Sequence, residues 1–223
     1  MDQLTQELVA IKTQPVDTES ASREIGVYET LRAFPHRNIC RMIDRFVAHQ
    51  QELRIVFEYC PTNIMKIIQE TSEGRNGVIP RAKVVHYVRG IVDALCHLHD
   101  IGMAHGDLSM GNILVSYDDT IKVGDFGTAH CAHTYICPEP MATYYVRSPE
   151  QWAAGPKSGW PSDSWAVGVV AMALLTGECP FFAKEDSAEV VFPAMVSLLG
   201  SVTDMVWPSH ASLSGWHKLA QHW

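Results

Sequence analysis

Residues 112–124 constrain this chain most. "NILV" and "IKVG" are two short β-branched runs joined through a turn at Asp118 and Asp119, the pattern of a hairpin. Polar segments stand on either side: "HGDLSMGN" (105–112) leads in and "DFG" (125–127) leads out. Asp107 and Asn112 therefore lie at the hairpin's entry and Asp125 at its exit.

Upstream, "ELVAIKT" (7–13) has the composition of a buried strand and "ELRIVFEYC" (52–60) that of another. Between them Ile25, Tyr28, Leu31 and Phe34 recur at three-residue steps, which reads as the apolar stripe of a helix. Beyond residue 80 the character becomes helical. Pro80 suits a first turn, and Val84, Val88, Ile91, Leu95 and Leu98 recur at three and four. Residues 163–176 are apolar nearly all round, as in a helix buried within a lobe, with Gly177 and Pro180 to end it. The expected class is α+β in two lobes, a small β-rich unit over 1–60 and a larger helical one over 61–223.

The 223 residues suffice for one large domain or two small lobes. With 17 Lys and Arg against 25 Asp and Glu, the net charge of −8 disfavours nucleic acid and anionic membrane as partners. "MDQLTQE" has neither the basic nor the apolar part of a signal peptide, and the apolar run at 165–177 is too short to span a bilayer. Cytoplasmic or nuclear placement is the expectation. Six cysteines without a CxxC suggest reduced thiols. "HCAHTYIC" (130–137) gathers His130, Cys131, His133 and Cys137, but its spacing fits none of the common zinc patterns and reads as an exposed polar loop.

Phosphoryl transfer from ATP needs a cation on the phosphates, ligands for Mg²⁺ and a carboxylate at the attacking hydroxyl. The chain offers these in order. Lys12 on "VAIK" is placed for the phosphates and Glu24 could hold it as an ion pair. Asp107 would orient the nucleophile, while Asn112 and Asp125 would hold magnesium. Each residue alone has an ordinary structural explanation; the ordered set is hard to obtain by accident.

The set resembles a eukaryotic protein kinase, and within that superfamily the cyclin-dependent kinase group. "TESASREI" (18–25) is similar to the PSTAIRE-type helix, "FPHRNICRMIDRF" to the segment that follows it, and "LRIVFEYC" to a hinge with Phe57 as gatekeeper. "VGDFGTAH", "ATYYVRSPEQW" and "SDSWAVGVVAMALLTGECPFF" continue in register. The resemblance implies a bilobal fold, ATP and Mg²⁺ as cofactors, and a protein substrate with a Ser or Thr acceptor. It further implies that Ala10 and Leu114 sandwich adenine, that backbone at Glu58 and Cys60 bonds its edge, and that Asp163 braces the catalytic loop. Thr143 would close the cleft beside the acceptor, and a cyclin-like activator could press on the 18–25 helix.

The chain departs from the pattern in several places. The Gly-rich phosphate lid and two strands before "VAIK" are missing, and the last helices of the large lobe are missing too, so a kinase domain truncated at both ends is expected. That truncation would leave Glu150 as an unpaired buried carboxylate without its usual arginine. Gly106 and His130 stand where two phosphate-binding arginines are usual, leaving Arg23, so control by a phosphate such as one on Thr134 should be weak or lost. Ser109 replaces a lysine. Two other readings stay open: a catalytically impaired pseudokinase that binds partners, and a small-molecule phosphotransferase. "HGDLSMGNILV" also resembles the loop of aminoglycoside and choline phosphotransferases, although the S-P-E segment and "DFG" speak against it.

Overall fold

The computed structural model describes residues 7–48, 51–74, 78–131, 142–154, 159–208, 210–213 and 215–222. Strands β1 (Val9–Pro15), β2 (Met42–Val47) and β3 (Glu52–Glu58) form an antiparallel sheet in the order β1-β3-β2. The central strand β3 alternates as a pleat requires, burying Leu53, Ile55 and Phe57. β1 is not the buried strand that its composition suggests: it lies at the sheet edge, and Ile11 is 55% exposed while Lys12 and Gln14 are half-buried.

Helix α1 (Glu19–Ala33) begins where the Thr18 side chain accepts the Ala21 N–H at 3.1 Å. Its buried face is Ala21, Glu24, Val27, Tyr28 and Leu31. The expected stripe therefore fails at both ends, with Ile25 half-buried and Phe34 54% exposed. A helix turns about 100° per residue, so three steps of three residues drift about half-way round it. Positions 25 and 34 cannot share a face.

After α1 the chain is stitched to the hairpin, whose strands are β6 (Ile113–Val115) and β7 (Ile121–Val123). Cys40 N–H donates to Val123 O and Val123 N–H to Asn38 O, both at 2.8 Å, and Asn38 Nδ2 donates to Ile121 O at 3.0 Å. β4 (Thr62–Asn63) pairs with the other edge of β6. Asp119 turns the hairpin at φ 61°, and its carboxylate accepts Tyr87 Oη–H at 2.6 Å.

The larger lobe is helical. Asn63 caps α2 (Ile64–Ser72), and α3 (Arg81–Asp100) follows Pro80 with Val84, Tyr87, Ile91, Leu95 and Leu98 buried. Gly90 lets α3 approach closely, since a Cβ there would stand 3.0 Å from both Ile121 Cβ and Asn38 Nδ2. β5 (Met103–Ala104) pairs with β8 (His130–Cys131). α4 (Pro149–Ala154), α5 (Trp160–Thr176), α6 (Ala188–Leu199) and α7 (Trp216–Leu219) complete the described helices. α5 ends as expected at Gly177, left-handed at φ 80°, whose N–H caps Ala173 O at 2.9 Å. Among the described residues no helix is long and apolar enough to cross a membrane.

Candidate active site

The loop between β5 and β6 is held from below. Asp163, in the first turn of α5 and 2% exposed, accepts the N–H of His105 at 2.9 Å, the N–H of Gly106 at 3.0 Å and His99 Nε2 at 2.9 Å. A buried carboxylate needs such donors, and here they fix the backbone entering Asp107. Asp107 Oδ1 accepts both the N–H and the hydroxyl of Thr143, at 2.8 and 2.7 Å. Asn112 Nδ2 donates to Asp107 O at 2.9 Å, which leaves the Asn112 Oδ1 available to a cation.

At the hairpin's exit Asp125 adopts φ 61°, a conformation that Asp tolerates better than most residues. The turn sends neighbouring side chains different ways. Phe126 is fully buried, its ring 5.1 Å from Tyr28 and 5.2 Å from His105, while the Asp125 side chain stays 46% exposed.

Lys12 joins the two lobes. Its Nζ lies 3.0 Å from Glu24 Oε1 and 2.8 Å from Asp125 Oδ1. Glu24 is buried, and Gln14, on the same side of β1 as Lys12, donates to its other oxygen at 3.0 Å. Burial alone would lower the Lys12 pKa, but the hydrogen bond to Asp125 and the charges of Glu24 and Asp125 outweigh it and raise the value. Burial raises that of Glu24, and Lys12 only partly offsets it.

These residues converge on one cavity of about 320 Å³ between the lobes. Lys12, Glu24, Asn112 and Asp125 line one part of it, and Ala10, Leu114, Phe57, Glu58 and Cys60 line the rest. Of the ten residues expected to act in catalysis or to bind nucleotide and metal, nine are in the lining; Asp107 is not, and Asn112 ties it to the wall. Tyr28 and Cys40, to which the sequence reading gave no part in the site, line it as well. Cys40 and Cys60 share a thiol hydrogen bond that raises the Cys40 pKa and lowers that of Cys60.

The departures have local causes. Gly106 has φ 81°, and a Cβ there would stand 2.9 Å from Thr128 O and 3.1 Å from the His130 ring, so the histidine and Thr128 leave no room for a longer side chain. Arg23 donates to Gly127 O at 2.9 Å and pairs with Glu19. Glu150 corrects the sequence reading: it is half-buried rather than a lone buried carboxylate, and it accepts the Ser162 hydroxyl at 3.2 Å. The buried charge nearby is Arg147, bound to Asp186 at 3.0 Å and to Ala142 O at 3.0 Å. His133, Thr134 and Cys137 lie outside the described residues.

The family follows from this arrangement and from comparison. The pattern of the protein kinase domain matches residues 1–218, and the chain belongs to that family. It is 32% identical over 205 residues to Hormonally up-regulated neu tumor-associated kinase of Mus musculus, covering 86% of this chain and 28% of that protein. It is equally 32% identical over 190 residues to Cyclin-dependent kinase-like 1 of Caenorhabditis elegans, covering 82% and 51%. The chain thus spans between about a quarter and a half of these relatives. Its fold matches the crystal structure of the yeast RNA Pol II CTD kinase CTDK-1 complex with a TM-score of 0.82, over 97% of this chain and 70% of that one at 20% identity. The small antiparallel sheet and the helical lobe are those of a protein kinase.

Proposed function

We propose that this chain is the ATP- and magnesium-dependent serine/threonine kinase domain of a cyclin-dependent-kinase-like protein, with lobes at 1–60 and 61–223, acting on protein hydroxyls in the cytoplasm or nucleus. The observation that carries the reading is the Glu24–Lys12–Asp125 chain, which sets a cation and a carboxylate side by side in a cavity already lined for a flat apolar ring. ATP supplies the phosphoryl group, and magnesium offsets its charge. The donors fit such a pair. Magnesium is ordinarily held by one or two protein ligands together with phosphate oxygens, and no group of three or more His, Cys, Asp or Glu side chains among the described residues forms a ready-made cage. Asp125 and the Asn112 Oδ1 would hold the metal. Lys12 would then pass from Asp125 to the phosphates while Glu24 keeps it in place.

Asp107 would orient the acceptor hydroxyl. Thr143 occupies its Oδ1, and Oδ2 has only a long 3.4 Å contact from Asn112 Nδ2, so Oδ2 is the atom for the acceptor. A cyclin-like activator would act on α1. Yet Ser20 and Arg23 already fasten that helix to Gly127 O at 3.2 and 2.9 Å, which favours only a weak dependence on such a partner.

Thermal unfolding with and without Mg-ATP tests the site. At about 100 times its dissociation constant the ligand stabilises by about 2.7 kcal/mol, which is about 5–10 °C at about 2–4 °C per kcal/mol for this size. The expected rise requires magnesium and disappears in Asp125→Ala. A cooperative transition that Mg-ATP does not move would favour the pseudokinase reading instead.

A further inference from the structure

A second cavity of about 490 Å³ lies on the other side of the Tyr28, Cys40 and Glu58 wall, between the end of α1, the 35–41 segment and the hairpin. Its size suits a ligand. Leu31, Ile39 and Met42 give it an apolar floor, and Arg32, Arg37, Arg41 and Lys122 surround it. These are four of the 17 Lys and Arg in a chain of net charge −8. The concentration is local and opposes the overall sign.

The cations differ in how well they are matched. Lys122 is paired with Glu58 at 3.1 Å, and Arg32 with the exposed Glu29 at 3.4 Å. Glu58, the one carboxylate in the lining, also accepts the backbone N–H of Arg41 at 2.7 Å, so its charge is already answered. Arg37 and Arg41 are exposed, and among the described residues neither guanidinium has a carboxylate partner. His36 completes the rim and is the titratable ring facing these arginines; burial lowers its pKa.

We propose that this rear cavity binds a phosphorylated peptide segment of a partner protein, with the phosphate on Arg37 and Arg41 and an adjoining apolar side chain on Leu31, Ile39 and Met42. A phosphate monoester carries about −1.5 to −2 at neutral pH and suits two guanidinium forks better than one carboxylate does. The exposed arginines mark an open rim that an extended chain can cross, and the apolar floor rewards a neighbouring side chain in a way that inorganic phosphate cannot exploit.

The test uses a fluorescent library of eight-residue peptides with one phosphoserine and a leucine two positions away, its unphosphorylated twin, and inorganic phosphate and phenyl phosphate as competitors. Fluorescence polarisation should show the phosphorylated library binding at least tenfold tighter than its twin. Affinity should fall at least tenfold in Arg37→Ala/Arg41→Ala and partly in Arg41→Lys, which keeps charge but not the fork. Both arginines are exposed, so the unfolding midpoint should stay put; if the double variant is unstable, Arg37→Gln and Arg41→Gln singly serve instead. Equal binding of both libraries, or binding indifferent to the arginines, overturns the proposal. Displacement by inorganic phosphate or phenyl phosphate at concentrations equal to the library also overturns it, by making this a small-anion site. No step depends on ATP, so failure here is separate from failure of the kinase reading.

Discussion

Asp163 and Asp125 are the same residue type in opposite circumstances. Asp163 is 2% exposed and holds three donors, two of them backbone N–H groups of the loop above it. Asp125 is 46% exposed, has one close cation partner and stands on a left-handed backbone. The first carboxylate is saturated and fixes geometry; the second is left with capacity for an incoming ligand. Burial and hydrogen-bond supply, more than residue identity, divide frame from working group.

The sharpest way to break this contrast is Asp163→Ala, which leaves the N–H groups of His105 and Gly106 without an acceptor. At about 1–3 kcal/mol for each orphaned group, chemical denaturation should show a loss of about 3 kcal/mol or more, and a loss under 1 kcal/mol would deny Asp163 its framing role. Asp125→Asn should do the reverse. Asparagine tolerates the left-handed backbone, so stability without ligand should change by under about 1 kcal/mol, while the rise of about 2.7 kcal/mol with Mg-ATP vanishes in the same melts.

Gly106→Arg sharpens the contrast from the loop itself. The positive φ and the contact with Thr128 O should cost about 1–3 kcal/mol in denaturant titrations, so restoring the family's arginine harms this chain. The smallest effect is on pH dependence. The raised Lys12 pKa lends stability that is complete below its usual value near pH ~10.4 and is lost as pH rises through the higher folded value. Lys12→Met lacks that loss, so the stability gap between the two proteins should narrow in alkaline melts. With the side chain 33% exposed, solvent screening should keep the change under about 1 kcal/mol.

Elements whose signal is local were legible in the sequence. The hairpin at 113–123 follows from two β-branched runs and an Asp-Asp turn, and the α5 terminus from Gly177. Lys12 and Glu24 came from the order of motifs, and they meet at 3.0 Å. Contacts between segments far apart in the chain were not legible. Nothing in "DFG" announces that Lys12 will reach Asp125 across 113 positions, or in "HGD" that the His130 ring will stand over Gly106. β2 escaped notice because four of its six residues are exposed and no buried alternation marks it. Gln14 had a usable signal, since two residues along a strand return to the same face. The α1 face was misjudged because a three-residue step looks periodic in text but precesses around a real helix.

The stitching of Asn38 and Cys40 to β7 also has a mechanical meaning. It anchors the far end of α1 to the larger lobe, while the near end is held by Ser20 and Arg23 on a single carbonyl, Gly127 O. The helix is thus fastened at both ends, at the Asn38–Cys40 seam and at a latch a full helix length away. Opening the latch sacrifices two hydrogen bonds, one of them charge-assisted, for about 2–4 kcal/mol together. Glu24 follows Arg23 directly, so the latch at Gly127 and the ion pair with Lys12 share one turn of the helix.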